Sequence, residues 1–531
     1  MKQYFLIIFF LTYVIVGFSQ QNKDSLKNPV TQFFMQSLVE DLNHFPLNYQ
    51  HYTIKDYTAS SLYFKTEDGT FKDGRTPETI NNYGLNTQGV FRTKKGTIFF
   101  GNISIEKIYY KNLKWNLSYQ LPENGIMEDP HYFGVSKGGD WNNQHYHLNG
   151  GFLIPVNSKI SLMLHSKYKL FNKYRTDLDP RLDIRYNELN FNAGISYAIN
   201  TKHHLKTSFL YGYSHVDNSI SFSNTFQNSP FNYNIYVKWL SGYGSFSSPF
   251  KNSTQRRTKY YTGTLGYSFT TDNLSIMSDI KYVKNNQITY RNNGVQDIND
   301  RSNYFATYKP NSLEFSNLML YKITELKHLK LKLNGVTKKG ENYLEAKQGK
   351  SYSASENNLL MSFAYLKFKE NNTFWDIGIT TTISDINQFD ALATTKFNYT
   401  NFEISNYLLY SFPISKKTHL NPFINSSLRL NLSNKYIQGN SEYFENIQEN
   451  DYASLAQRDF YTDVILPNTE LFTVSQLHLK TGSSIQIETK HKYNLILSIK
   501  GGTYFPLEKS KNFNSLNSNR FEAFLGLTIT Y

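Results

Sequence analysis

The 531-residue sequence contains no cysteine. It therefore has no disulfide framework, no thiolate metal site, no cysteine nucleophile and no lipid-modified cysteine at a leader cleavage site. Long apolar runs are nearly as scarce. Mean hydropathy is −0.52, and beyond the first twenty residues no stretch approaches the ~20 apolar residues of a membrane-spanning helix. Hydrophobic residues make up only 39% of the chain, yet 16% of it is aromatic. A chain poor in aliphatics but rich in Tyr, Phe, Thr, Ser and Asn suits strands that alternate lipid-facing and water-facing positions between aromatic belts.

The one apolar run, Tyr4 to Gly17 (YFLIIFFLTYVIVG), follows Lys2 and precedes Ser19. A positive n-region, an apolar h-region and small residues predict a secretory signal peptide over residues 1–19, cleaved after Ser19. Residues 20–56 then form a polar periplasmic segment with one helical-period patch, Phe34, Met35, Leu38, Val39 and Leu42. This segment is too short for the plug domain of an active-transport receptor. It is expected to tuck against or into the mouth of the domain that follows.

From Tyr57 onward the dominant signal is alternation. The last segment has Phe521, Ala523, Leu525, Leu527, Ile529 and Tyr531 on one parity and Glu522, Phe524, Gly526, Thr528 and Thr530 on the other. Period two means a β-strand with one apolar face. An aromatic end on such a strand, here Phe521, Leu525, Leu527, Ile529 and Tyr531, reads as the signal that barrel-assembly machinery recognises. The same parity appears in Phe99, Gly101, Ile103 and Ile105, in Ile160, Leu162, Leu164, Tyr168 and Leu170, and in Thr207, Phe209, Tyr211 and Tyr213.

Short polar turns punctuate these segments: Lys94-Lys95-Gly96, Asn157-Ser158-Lys159, Asn200 to His204, Thr271-Asp272-Asn273, Glu325 to His328, Glu370-Asn371-Asn372, Ser415 to Thr418 and Glu488 to Lys490. Between them lie long polar connections: Pro122 to Asn142, Asn172 to Tyr186, His215 to Arg256, Asn285 to Pro310, Lys338 to Ser355 and Asn434 to Asn468. Tight turns at one end and long loops at the other predict an all-β fold, a single transmembrane antiparallel β-barrel over residues 57–531. Eight turns give roughly 16–18 strands of ~9–14 residues, with the turns periplasmic and the loops extracellular. No sheet edge can face lipid, so the barrel must close.

Candidate sites are few. His145 and His147 share one strand face and could hold a transition ion, but two imidazoles without a third ligand read more readily as lumen lining. His203 and His204 read as surface turn residues. Asp177, Asp179 and Asp183 alternate as Ca²⁺ ligands can, but no glycine bend accompanies them, and Arg175, Arg181 and Arg185 are ready ion-pair partners. Lys107, Lys167 and Lys169 are candidates for the inward parity. Basic residues there would bias a lumen towards anions, or would pair with carboxylates on neighbouring strands. No nucleophile sits in a glycine elbow, so a non-enzymatic protein without cofactor or metal is expected, and a membrane-embedded hydrolase is the weaker option. Lys and Arg number 56 against 42 Asp and Glu. The excess is scattered rather than gathered in a stripe, which excludes nucleic acid as a partner and favours lipid and lipopolysaccharide phosphates, or a merely solvated surface.

The stretches Phe91 to Asn116 (FRTKKGTIFFGNISIEKIYYKNLKWN), Gly139-Asp140-Trp141, Gln144 to Gly151 (QHYHLNGG) and Asp179-Pro180-Arg181 resemble a Bacteroidota family of outer-membrane β-barrels of unknown function. Its members are often encoded near TonB-dependent receptors. The resemblance implies a barrel in the outer membrane and a TonB-dependent receptor as a possible partner, and it supplies no catalytic residues. The sequence expectation is a passive channel or an accessory component of solute uptake. The alternative is a non-conducting surface scaffold that binds a partner protein.

Overall fold

The computed structural model describes residues 37–51, 56–175, 178–223, 236–247, 253–291, 304–369, 373–489 and 493–530. The signal peptide expected over residues 1–19 and the residues Phe34, Met35, Asp177 and Tyr531 named above lie outside them. The first part of the chain forms β1 (Tyr57–Gly69), β2 (Thr79–Arg92), β3 (Ile98–Leu113), β4 (His131–Gly134), β5 (Gly139–Pro155), β6 (Ile160–Arg175), β7 (Arg181–Ala198), β8 (His203–Ser221), β9 (Lys238–Ser241), β10 (Phe246–Ser247) and β11 (Ser253–Thr270). The second part forms β12 (Leu274–Arg291), β13 (Tyr304–Tyr308), β14 (Asn311–Thr324), β15 (Lys327–Leu344), β16 (Tyr352–Phe368), β17 (Phe374–Asp390), β18 (Thr395–Ser415), β19 (Thr418–Gln438), β20 (Gln476–Glu488), β21 (Asn494–Pro506) and β22 (Arg520–Thr530).

Eighteen staves close into one antiparallel barrel. The seam is the pairing of β22 with β1, from Ala59 opposite Thr530 to Gly69 opposite Arg520. The short β13 bridges β12 and β15 beside β14. The strands flanking all eight predicted turns pair antiparallel. Residues 370–372 and 490–492 of two of those turns are outside the described chain.

Two expectations need correction. The strands are longer than predicted, reaching 21 residues in β18 and β19. Among the described residues, much of Asn172 to Tyr186, His215 to Arg256, Asn285 to Pro310 and Lys338 to Ser355 is strand rather than loop, whereas Asn434 to Asn468 is strand only as far as Gln438 and mostly helical beyond it. The reason is physical: beyond the bilayer a stave keeps its ladder hydrogen bonds but no longer needs an apolar face, so its sequence reads as polar connection. Lys107 was also misplaced. Pairing runs without a bulge from Ile98 to Tyr110, so the alternation persists, and Lys107 shares the outward parity of Ile105 and Tyr109. Its ammonium rests on the Tyr109 and Tyr174 rings at 5.6 and 5.7 Å, a snorkelling position in an aromatic belt.

The outward face is apolar and open to lipid: Leu265 is 67% exposed, Leu525 58% and Phe209 57%, while their neighbours Thr264 and Ser208 are buried inside. The interior is filled at both ends. At the turn end, residues 37–42 form a helical turn and Pro46–His51 a 3₁₀ turn. They bury Leu38, Val39, Leu42, Phe45, Leu47 and Tyr49 against Val90, Ile98, Phe100, Leu153, Met163, Met277 and Leu318 of the wall.

At the loop end, β4, β9 and β10 form a separate three-stranded sheet. It packs with a helical run from Tyr452 to Thr473 whose first turn is capped by Asp451, which accepts from the Ser454 amide at 3.1 Å. Trp115, Leu240, Tyr243, Phe460, Tyr461, Ile465 and Phe472 make the core of this outer plug.

A charge at the lipid-facing Leu265, five residues from the turn and near mid-bilayer, has no partner. Leu265→Arg is expected to cost about 2–4 kcal/mol in reversible urea unfolding from lipid vesicles, and Leu265→Ala clearly less. Equal midpoints for the two variants would contradict the assigned lipid face.

Candidate functional site

The inward parity changes character along the staves. On β3 the turn end contributes Ile98 and Phe100 to the inner plug's core, and the loop end contributes Ile108, Tyr110 and Leu113 to the apolar packing under the outer plug. Between them stand Asn102, Ser104 and Glu106. On β5, Leu153 and Trp141 bracket Asn149, His147 and His145 in the same way. The lumen wall is thus a polar belt between two apolar stoppers.

The belt carries charge of both signs, and much of it is paired across neighbouring strands. Lys169 lies 3.2 Å from Glu188, which also accepts from Asn190 at 2.6 Å and from Tyr186. Lys281 meets Glu314 at 2.7 Å. On the opposite wall Glu522 joins Lys480 at 2.7 Å and His478 at 3.3 Å. Lys167 and Lys169 both occupy the inward parity, across from the outward Leu164 and Tyr168. His145 and His147 are on that parity too, and β3 brings Glu106 beside them.

Among the other sequence candidates, Asp183 pairs with Arg185 at 2.9 Å and Asp179 with Arg181 at 3.2 Å, while Arg175 donates to the carbonyls of Lys137, Gly138, Leu178 and Asp179. His203 sits by the turn, 2.7 Å from the Tyr267 hydroxyl.

Polar contacts hold both plugs to the wall. In the inner plug Asp41 forms ion pairs with Lys330 and Lys332 of β15, Lys206 of β8 donates to Asn48, and Arg92 donates to the Tyr49 carbonyl at 3.1 Å. Burial holds the His44 imidazole below its usual pKa, and Lys332 adds to the effect.

In the outer plug Asp73 and Arg75 are buried together at 2.9 Å. Asn468 donates to Asp73 at 2.9 Å and Arg75 to the Gly125 carbonyl at 2.7 Å. Gly125 has φ +70°, and a Cβ there would stand 2.7 Å from the Phe472 ring, so only glycine fits. Asp129 pairs with Arg256 of β11 and accepts from the His131 amide at 2.9 Å. Burial pushes the Asp129 carboxyl up, but Arg256 and His131 outweigh it and bring the pKa down to about 2.

Sequence reasoning found the two histidines and the lysines but missed Glu106 and both plug networks. β3 and β5 are joined by a long connection, so their register, and with it the neighbour of His145, could not be counted from a turn. The buried aromatics Trp115, Phe133, Trp239 and Tyr461 inside polar connections were the available signal for the outer plug.

The model of a family of unknown function, DUF6850, matches residues 46–530. No curated protein matches the sequence. Among solved structures, the chain is similar to the ferric preacinetobactin receptor BauA from Acinetobacter baumannii, at 8% identity and TM-score 0.41, over 90% of this chain and 80% of that one. It is also similar to the siderophore receptor PiuA from the same organism (9% identity, TM-score 0.37, 90% and 82% covered) and to a Pseudomonas aeruginosa FadL homologue (10%, 0.31, 91% and 91%). Likenesses this distant carry no argument about what the chain binds.

The folded pKa of Asp129 lies below the ~3.9 of an unfolded aspartate. Its ion pair therefore contributes fully above pH ~4, and the contribution is lost as pH falls through 2. At neutral pH, Asp129→Asn leaves Arg256 buried without its counter-ion, at a cost of about 3–5 kcal/mol. Faster amide exchange across residues 114–134 is expected in that variant, and unchanged exchange would show that the pair does not hold the plug.

Proposed function

The chain belongs to DUF6850, and from that premise and the doubly closed lumen we propose a non-enzymatic outer-membrane barrel that serves solute uptake, as a gated passage or as the accessory component of an uptake system. One observation carries this reading: the polar, charged belt enclosed between two stoppers that are separate from the barrel's strands. A barrel that only had to be rigid would gain more from apolar packing in its middle than from internal ion pairs, which recover little beyond their desolvation cost. Both stoppers, moreover, are held to the wall by side-chain packing, ion pairs and hydrogen bonds rather than through the barrel's own ladders. Under this reading the extracellular loops meet solute or partner. The surroundings are outer-membrane lipid and lipopolysaccharide, assembly runs through the barrel-assembly machinery, and a TonB-dependent receptor is the partner for an accessory role.

Planar-bilayer recording tests the proposal. The intact barrel is expected to conduct rarely and in small steps. Deletion of residues 37–51 combined with Asp129→Asn, which loosens both stoppers, is expected to raise the open fraction by roughly tenfold or more. A combined variant that keeps its β circular dichroism and heat-shifted gel mobility yet never conducts removes the passage reading. Gentle-detergent co-purification of a stoichiometric surface protein would then favour the scaffold.

A further inference from the structure

We propose that Glu106, His145 and His147 form a binding site on the lumen wall for a divalent transition-metal ion of the zinc class. The inference goes beyond the uptake reading and does not depend on it.

Strand register assembles the site. Glu106 of β3 lies directly across from His145 of β5, and His147 follows two residues on, opposite Ser104, so all three side chains leave the same face of the sheet. One potential ligand atom from each lies within 4.8 Å of the other two. Glu106 Oε2 stands 3.8 Å from His145 Nδ1, too far for a hydrogen bond. Ligands ~2.0–2.1 Å from a tetrahedral ion sit about 3.4 Å apart, so small side-chain rotations close the triad.

The surroundings support the assignment. The His145 and Glu106 side chains are only 13% and 20% exposed. His145 Nε2 is buried and has no hydrogen-bond partner, an arrangement that costs free energy unless something occupies it. The other carboxylate oxygen of Glu106 is already engaged: Tyr63 donates to Oε1 at 2.5 Å and Asn82 at 3.5 Å, leaving Oε2 towards the histidines. Orienting hydrogen bonds of this kind are what ligating carboxylates have in metal sites. The Phe171 ring lies 4.3 Å from the His145 ring and 5.1 Å from that of His147, limiting water on that side. The two neighbouring wall lysines are engaged elsewhere, Lys169 with Glu188 at 3.2 Å and Lys173 over the Tyr110 ring at 5.5 Å.

The donor set selects the ion. Two imidazoles and one carboxylate suit Zn²⁺, Ni²⁺ or Cu²⁺ and leave a fourth position open. Ca²⁺ and Mg²⁺, which require six or more oxygens, are excluded.

The test is titration of the tag-free, metal-stripped full-length barrel in detergent with Zn²⁺ by calorimetry and with Co²⁺ by visible absorption. One equivalent of Zn²⁺ is expected, together with a Co²⁺ d–d band of tetrahedral intensity. Glu106→Gln is expected to weaken binding at least tenfold, and the double variant His145→Gln/His147→Gln to abolish it. Tyr63→Phe, which removes only the orienting bond, should cost about ten- to a hundredfold. Circular dichroism and heat-shifted mobility check that each variant folds. A wild-type barrel that takes up no zinc, or a folded double variant that binds as well as wild type, overturns the proposal. Either failure leaves the conductance experiment untouched, so the two readings fail separately.

Discussion

Everything in this structure depends on the seam between β1 and β22. In lipid an unpaired strand edge would leave a row of amide and carbonyl groups with neither water nor partner, at several kcal/mol each. The register from Ala59–Thr530 to Gly69–Arg520 removes that edge. Once the sheet is closed, alternation does the rest: every stave sends one parity to lipid and the other to the lumen.

Closure at eighteen strands creates a second problem. Side chains from the wall fill a barrel of about eight strands but leave an aqueous channel at sixteen to eighteen. This chain fills its lumen with pieces of itself, the turns over residues 37–51 at one end and the folded loops with their small sheet and helical run at the other. Each piece packs an apolar core against the wall, and each must also satisfy polar groups that the surrounding wall shields from water. Hence the buried Asp73–Arg75–Asn468 and Asp129–Arg256–His131 groups, where the partners offset desolvation that neither could bear alone. Between the two plugs the wall is polar, and there the carboxylates, imidazoles and ammonium groups collect.

Much of the fold was legible because the bilayer imposes a simple rule on each stave. Phe521, Leu525 and Leu527, or Leu162, Leu164 and Tyr168, advertise their face by parity alone. The rule lapses where the bilayer ends, so the outer thirds of β7, β8 and β19 read as loops. It also failed at Lys107, where the Tyr109 and Tyr174 rings let an ammonium group remain on the outward face. The site was legible only in part. His145 and His147 stood out through their spacing, but Glu106 joins them across strands linked by a connection of 25 residues, Lys114 to Gly138, whose length sets no register.

By itself the sequence determined the class of the protein, its closed sheet, its tight and long ends and which parity meets lipid, because these follow from period-two patterning and turn chemistry within a few residues of chain. Only the tertiary structure decided that the cylinder is stoppered at both ends, and that a glutamate stands beside two histidines on its inner wall. Those features are contacts between segments far apart in the chain, and local pattern holds no information about such distances.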